Sequence, residues 1–130
     1  MRDDLEINRP EVVAELRALY AQYEAALVSN DAEVLTRMFW ASPHAMRFGI
    51  TENLYGSEQI ATFRKSRPGV NLARTVRRLD IVAFGRDHAS VTLEFERTVD
   101  GQTLSGRQSQ VWVRFPEGWR IVSAHVSLLP

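Results

Sequence analysis

Apolar positions follow one period in the first half of the chain and another in the second. Val13, Leu16, Tyr20, Tyr23 and Leu27 recur at three- and four-residue steps, which places them on one face of a helix. Asn8 and Glu11 have the spacing of a capping box, with Pro10 in the first turn, and the pattern stops near Ser29 and Asn30. Asn30 with Glu33 marks a second box, opening a short helix that turns Val34, Leu35 and Met38 inward until Pro43 forbids continuation. A short strand within residues 45–50 leads to Tyr55 and Gly56. Ser57 then stands at the cap of a third helix, which carries Ile60 and Phe63 and ends before Arg67-Pro68-Gly69.

From there the period falls to two. Residues 74–84, 88–99, 102–115 and 119–128 are rich in β-branched and aromatic side chains and read as strands. Compact turns separate them: Gly85-Arg86-Asp87, the hairpin signal Asp100-Gly101, and Pro116-Glu117-Gly118. Three helices followed by a meander predict an α+β fold, with the helices packed on a curved antiparallel sheet. A long twisted sheet wrapped over helices leaves a conical cavity, a natural place for a small ligand. The helices cover only one sheet face, so the face bearing either the Val111 or the Trp112 set is expected to meet a second subunit.

Composition narrows the function classes. At 130 residues, without repeats or linkers, the chain is read as a single domain over residues 1–130. Its 16 basic and 16 acidic groups balance, which argues against nucleic acid or an anionic membrane as partner. No apolar run is long enough to span a bilayer, and Met1-Arg2-Asp3-Asp4 lacks the pattern of a secretory signal, so a cytoplasmic location is expected. The absence of cysteine excludes disulfides and thiolate chemistry. His44, His88 and His125 are scattered without acidic residues at ligand spacing, so neither a metal nor another cofactor is expected. Only Lys65 among the basic residues is lysine; the other fifteen are arginine, whose planar fork suits carboxylates.

Four of those arginines fall where the helices meet the mouth of the cone: Arg47, Arg64, Arg67 and Arg74. Arg47, between Met46 and Phe48, has the most apolar setting, and a buried guanidinium needs a counter-charge. Strict alternation in the last strand puts Trp119, Ile121, Ser123, His125 and Ser127 on one face, making His125 and Ser127 either pocket lining or interface. In the preceding strand, Gln108, Gln110 and Trp112 share one face and Arg107 and Ser109 the other; one set looks into the cone. Tyr23 on the first helix, or Tyr55 from a loop, offers a phenol, made more acidic by a neighbouring arginine.

The stretches Arg47-Phe48-Gly49, Glu52-Asn53-Leu54-Tyr55-Gly56, Phe63-Arg64-Lys65-Ser66-Arg67-Pro68 and Gly106-Arg107-Gln108-Ser109-Gln110 resemble the AtzH-like family. So does the ending Gly118-Trp119-Arg120-Ile121-Val122-Ser123-Ala124-His125-Val126-Ser127, and the likeness runs in order from Asn8 to Leu129. That family includes HpxZ-type proteins of oxalurate catabolism and lies within the nuclear transport factor 2 superfamily. The resemblance implies a cone-shaped α+β fold, a homodimer, and action on carboxylated ureas and ureides, including decarboxylation of dicarboxyurea to allophanate. It maps the family's helix tyrosine onto Tyr23 and its pocket arginine onto Arg47.

The expected chemistry is cofactor-free loss of CO2, or a related hydrolysis, acting on a small N-carboxylated urea or oxalurate-type anion. Arg47 holds a carboxylate and Tyr23 donates a proton, while Arg64, Arg67, Arg74, Tyr55, Gln110, His125 and Ser127 bind the rest of the ureide. The alternative is a non-catalytic protein that binds oxalurate or assists a partner amidase through the same basic pocket. An isomerase of the ketosteroid type would need an inward acid among Asp80, Glu94 and Glu96.

Overall fold

The computed structural model describes residues 5–69 and 72–130. Residues 1–4, read above for the absence of a signal, lie outside the described residues. The chain runs α1 (Pro10–Ser29), α2 (Ala32–Met38), β1 (Met46–Phe48), β2 (Asn53–Tyr55), α3 (Ser57–Ser66), β3 (Thr75–Phe84), β4 (His88–Val99), β5 (Gln102–Phe115) and β6 (Gly118–Leu128). The three helices pack on one face of a six-stranded curved sheet of order β2-β1-β6-β5-β4-β3. The long strands β3 to β6 form the expected meander. The pair β1 and β2, of which only the first is visible as hydrophobic alternation, continues the sheet because β1 runs parallel to β6.

The helix boundaries are those expected, but their caps differ. Arg9, not Asn8, is the N-cap of α1, and it makes no side-chain cap bond. Asn8 instead adopts a left-handed backbone (φ 58°) and clamps the edge strand: its N–H donates to the Ala83 carbonyl (2.9 Å) and its Oδ1 accepts from the Ala83 N–H (2.8 Å). The second helix is capped by Asp31, whose Oδ1 accepts from the Val34 N–H at 3.2 Å. Asn30 ends α1 in the left-handed conformation (φ 56°) and donates its side-chain N–H to the Arg67 carbonyl at 3.1 Å, tying the end of α1 to the end of α3. Gly56, at φ 84°, is the N-cap of α3, and Ser57 is its first residue. Asparagine served connections between elements that local spacing does not reveal.

Leu16, Leu35, Ile60, Val91, Leu93, Trp112 and Ile121 form the core between helices and sheet. The inward set of β5 is Gly106, Gln108, Gln110 and Trp112, so Val111, 45% exposed, belongs to the uncovered face.

In β6 strict alternation fails. Val111 pairs with Ser123 but Trp112 pairs with Ile121, leaving Val122 as an extra, bulged residue. One inserted residue exchanges the faces of everything beyond it. Trp119 and Ile121 point inward before the bulge; Ala124, Val126 and Leu128 do so after it. His125 and Ser127 therefore lie on the outer face.

Candidate functional site

The bulge also fixes where β1 points. Arg47 is in register with Ala124 on one side and Leu54 on the other, so it shares their inward orientation and is only 6% exposed. Its neighbours in the strand, Met46 and Phe48, are in register with Tyr55, Ser123, Asn53 and His125 and turn outward. Tyr55 is 53% exposed and meets Phe48 edge-on, as His125 does from the other side (centroids 5.7 and 5.9 Å). Ser127 accepts from Arg107 Nε and Nη2 at 3.2 and 3.0 Å. Tyr55, His125 and Ser127, three expected ligand-binding residues, are thus placed away from the cone by register.

Inside the cone is a cavity of about 410 Å³. Arginines Arg47, Arg67, Arg74 and Arg97 line it together with Glu52, Gln108 and an apolar wall that includes Phe63, Phe95 and Val126. Each guanidinium is set differently. Arg47 Nη1 donates to Glu52 Oε2 at 2.8 Å, and its head lies 5.3 Å from the centre of the Phe63 ring. Burial pushes the Glu52 carboxyl up, but the hydrogen bonds from Arg47 and Thr51 and the charge of Arg47 together outweigh it and hold the carboxyl below its ordinary value. Gly49 makes this pair possible: a Cβ there would occupy the space of the Glu52 carboxylate.

Arg74 is gripped from several sides. Its Nε and Nη2 each donate to Glu24 at 2.8 Å, a bidentate pair, while Nη2 also reaches Gln108 Oε1 (3.0 Å) and the Tyr20 hydroxyl (3.3 Å). Its head sits 4.3 Å from the centre of the Phe95 ring, and that ring lies flat across Gly106, where a Cβ would collide with it. Tyr20 donates to Glu24 at 2.7 Å and accepts from Gln108 Nε2 at 3.0 Å. Burial, and then Glu24, push the Tyr20 phenol far above its ordinary value, so it stays neutral. Burial raises Glu24 as well, yet Arg74 more than offsets this and the carboxyl ends below its ordinary value.

Tyr23, one turn further along α1, is in the opposite condition. It is 2% exposed, with its ring against Tyr20 and Phe39, and its oxygen receives Arg64 Nη2 at 2.6 Å. Burial raises the phenol, but Arg64, Arg47 and Arg74 together bring it below its ordinary value. Arg64 is 1% exposed and is not part of the cavity wall; burial, opposed by Tyr23, lowers its pKa. Arg67, the C-cap of α3, is pushed down to about 10 by burial and by the neighbouring Arg64 and Arg47. Because Glu52 is taken by Arg47 and Glu24 by Arg74, neither Arg64 nor Arg67 has a carboxylate partner among the described residues. Such a site attracts anions.

Of the expected residues, the structure brings Arg47, Arg67 and Arg74 to the cavity wall and places Tyr23 with Arg64 buried behind it. Gln110 is buried but faces Trp112, whose indole N–H donates to its Oε1 at 2.9 Å; Gln108 is the amide at the cavity. Sequence reading missed Arg97, Glu24 and Glu52. Arg97 has the same parity as Leu93 and Phe95, and Glu24 follows Tyr20 by one turn, so both carried a signal; Glu52 was visible only within its motif. Asp80 and Glu94 are exposed, and Glu96 pairs with Arg77 at 3.0 Å, so none of these acids faces the cone as an isomerase would require. No cluster of three or more metal-binding side chains occurs among the described residues. No described helix is long and apolar enough to cross a membrane.

The AtzH-like family model matches residues 5–130. The chain belongs to the AtzH-like family. A protein of unknown function from Pectobacterium atrosepticum, of the DUF3225 family, is 46% identical over 100% of this chain and 98% of its own, with a TM-score of 0.92. A cystatin-like fold protein from Burkholderia xenovorans is 42% identical over 97% of this chain and 99% of its own, with a TM-score of 0.88. A nuclear transport factor 2 superfamily protein from Salmonella enterica is 26% identical over 92% of each chain, with a TM-score of 0.74. Nothing among the curated proteins matches the chain. These likenesses set the AtzH-like chain in the nuclear transport factor 2 superfamily, a setting suited to binding a small molecule.

Proposed function

We propose that this protein is a cofactor-free enzyme of carboxylated-urea or ureide catabolism that removes CO2 from a small N-carboxylated urea, or carries out a related hydrolysis of an oxalurate-type anion. The observation that carries this reading is a cavity of about 410 Å³ walled by four arginines, beside a phenol held by a fifth. Glu52 answers Arg47 and Glu24 answers Arg74, while Arg67 has no carboxylate partner among the described residues, so a small anionic guest meets unanswered positive charge.

In this reading, the guest's carboxylate takes the position of Glu52 on Arg47, and Arg67 at the mouth holds the second carboxylate. Arg74, already fixed by Glu24 and Gln108, keeps the wall rigid and its charge in place. For an N-carboxylated urea, breaking the N–C bond leaves an electron pair on nitrogen, and that pair takes the proton supplied by Tyr23. A positioned acid contributes ~10²–10⁴-fold, and the fixed guanidinium charges add to this.

Incubation with dicarboxyurea, oxalurate, carboxybiuret and allophanate, with CO2 and ammonia both followed, tests the reading. CO2 release from one of them, lost in Tyr23→Phe and Arg47→Ala, is the expected result; full release by both variants contradicts it. Binding of oxalurate with neither CO2 nor ammonia released favours the second reading, an oxalurate-binding or amidase-assisting protein. Either role is proposed for a cytoplasmic homodimer that pairs through the uncovered sheet face bearing Val111 and His125.

A further inference from the structure

A buried arginine without a carboxylate poses a problem of charge. Arg64 is 1% exposed, and its Nε and Nη1 have no hydrogen-bond partner. A guanidinium stays protonated in proteins, so it cannot escape burial by losing its charge. Isolated buried charge is costly, and among the described residues its hydrogen-bond partner is the Tyr23 oxygen, 2.6 Å from Nη2. Among the described residues that oxygen has no acceptor to which a phenolic proton could be donated, its hydrogen bond there being with a donor.

The other charged and titratable groups facing Tyr23 act mostly in the same direction. Arg47 from β1, Arg74 from the approach to β3 and Arg67 from the end of α3 are cations. Glu52 and Glu24 are each bonded to one of those cations, and Tyr20 on the same helix stays neutral. Two tyrosines one turn apart, with ring centroids 5.8 Å apart, thus have opposite environments. Separation of this kind marks a division of proton-holding roles.

We infer that Tyr23 rests as a tyrosinate, ion-paired to Arg64, in the ligand-free protein at neutral pH, and that it takes up a proton when a dicarboxylate enters the cavity. The guest's negative charges oppose the positive field of the cavity wall, above all that of Arg67, which has no carboxylate partner among the described residues, and so raise the affinity of Tyr23 for a proton. Arg64 is therefore a positioning residue and not a ligand contact. The second half of this inference rests on the proposed function; the first half does not. If the guest is an N-carboxylated urea, the cycle balances. One proton enters from solvent onto the Tyr23 oxygen, the N–C bond breaks, CO2 departs, and the electron pair left on nitrogen takes that proton, restoring the tyrosinate.

Near-ultraviolet difference absorbance at pH 7, with malonate as a stable dicarboxylate probe and calorimetry as the independent measure of binding, tests both halves. Wild-type protein is expected to show the absorbance of one tyrosinate, absent from Tyr23→Phe. In Arg64→Gln its titration midpoint is expected to move up by roughly 1–3 units, with circular dichroism showing whether that variant folds. Identical spectra for wild type and Tyr23→Phe at pH 7 overturn the tyrosinate, even if Arg64→Gln fails to fold. Saturating malonate is expected to abolish the signal, with uptake of about one proton per chain in weakly buffered solution. Malonate that binds by calorimetry without proton uptake overturns the coupling. Absence of binding by both malonate and oxalurate overturns the ligand reading and the coupling with it, leaving the tyrosinate to be judged by the spectrum.

Discussion

Arg74 and Glu24 illustrate how a single pair links the site to stability. The carboxyl of Glu24 ends below its ordinary value of 4.5, as does that of Glu52. A carboxyl with a depressed folded-state pKa contributes stability that is present above its ordinary pKa and is lost as pH falls through the folded value. Acid unfolding is therefore expected to track these two groups. In urea melts taken from neutral pH into the acid range, Glu24→Gln is expected to start less stable and to lose less on acidification than wild type; equal losses contradict the assignment. Gly49→Ala acts on the second pair: it is expected to displace Glu52 and free Arg47, altering anion affinity while leaving the fold intact by circular dichroism.

Among elements, β6 decides which side chains reach the cavity. The strand itself, its neighbours and the inward helix face were legible, because periods of two and of three to four residues survive tertiary packing. The bulge at Val122 was not legible: neither glycine nor proline marks it, and its cause lies in the pairing with β5. That is why His125 and Ser127 were expected at the site and found outside it, while Arg47, read from its apolar neighbours, was found buried. Sequence also favoured Gln110 over Gln108, although alternation could not separate two residues of one face; depth along the cone did. Accordingly, His125→Ala and Ser127→Ala are expected to leave dicarboxylate binding unchanged within a factor of about two, since surface changes are small in energy. Gln108→Leu, which strips partners from Arg74 and Tyr20, is expected to weaken it about tenfold or more by removing hydrogen bonds to charged groups. Calorimetry distinguishes the two outcomes.

For the whole molecule, the sheet has two unlike faces. One is closed by the helices through Trp112, Ile121 and Val91; Trp112→Ala is expected to cost about 3–5 kcal/mol in a chemical denaturation curve. The other presents Val111 among Ser109, His125 and Arg107, a mixed surface suited to pairing with a second copy. Sedimentation equilibrium is expected to give a dimer that Val111→Glu shifts toward monomer; a wild-type monomer contradicts this. The cone and its arginines are built within one chain, so anion binding is expected to survive that shift.

The most direct test of the central claim, an anion-binding cone whose proton is held by Tyr23, is CO2 release measured in parallel for wild type, Tyr23→Phe and Arg47→Ala. Substrates are dicarboxyurea and oxalurate at neutral pH. The account predicts release by wild type from at least one of them and a fall of ~10²-fold or more in each variant. Undiminished release by both variants contradicts it.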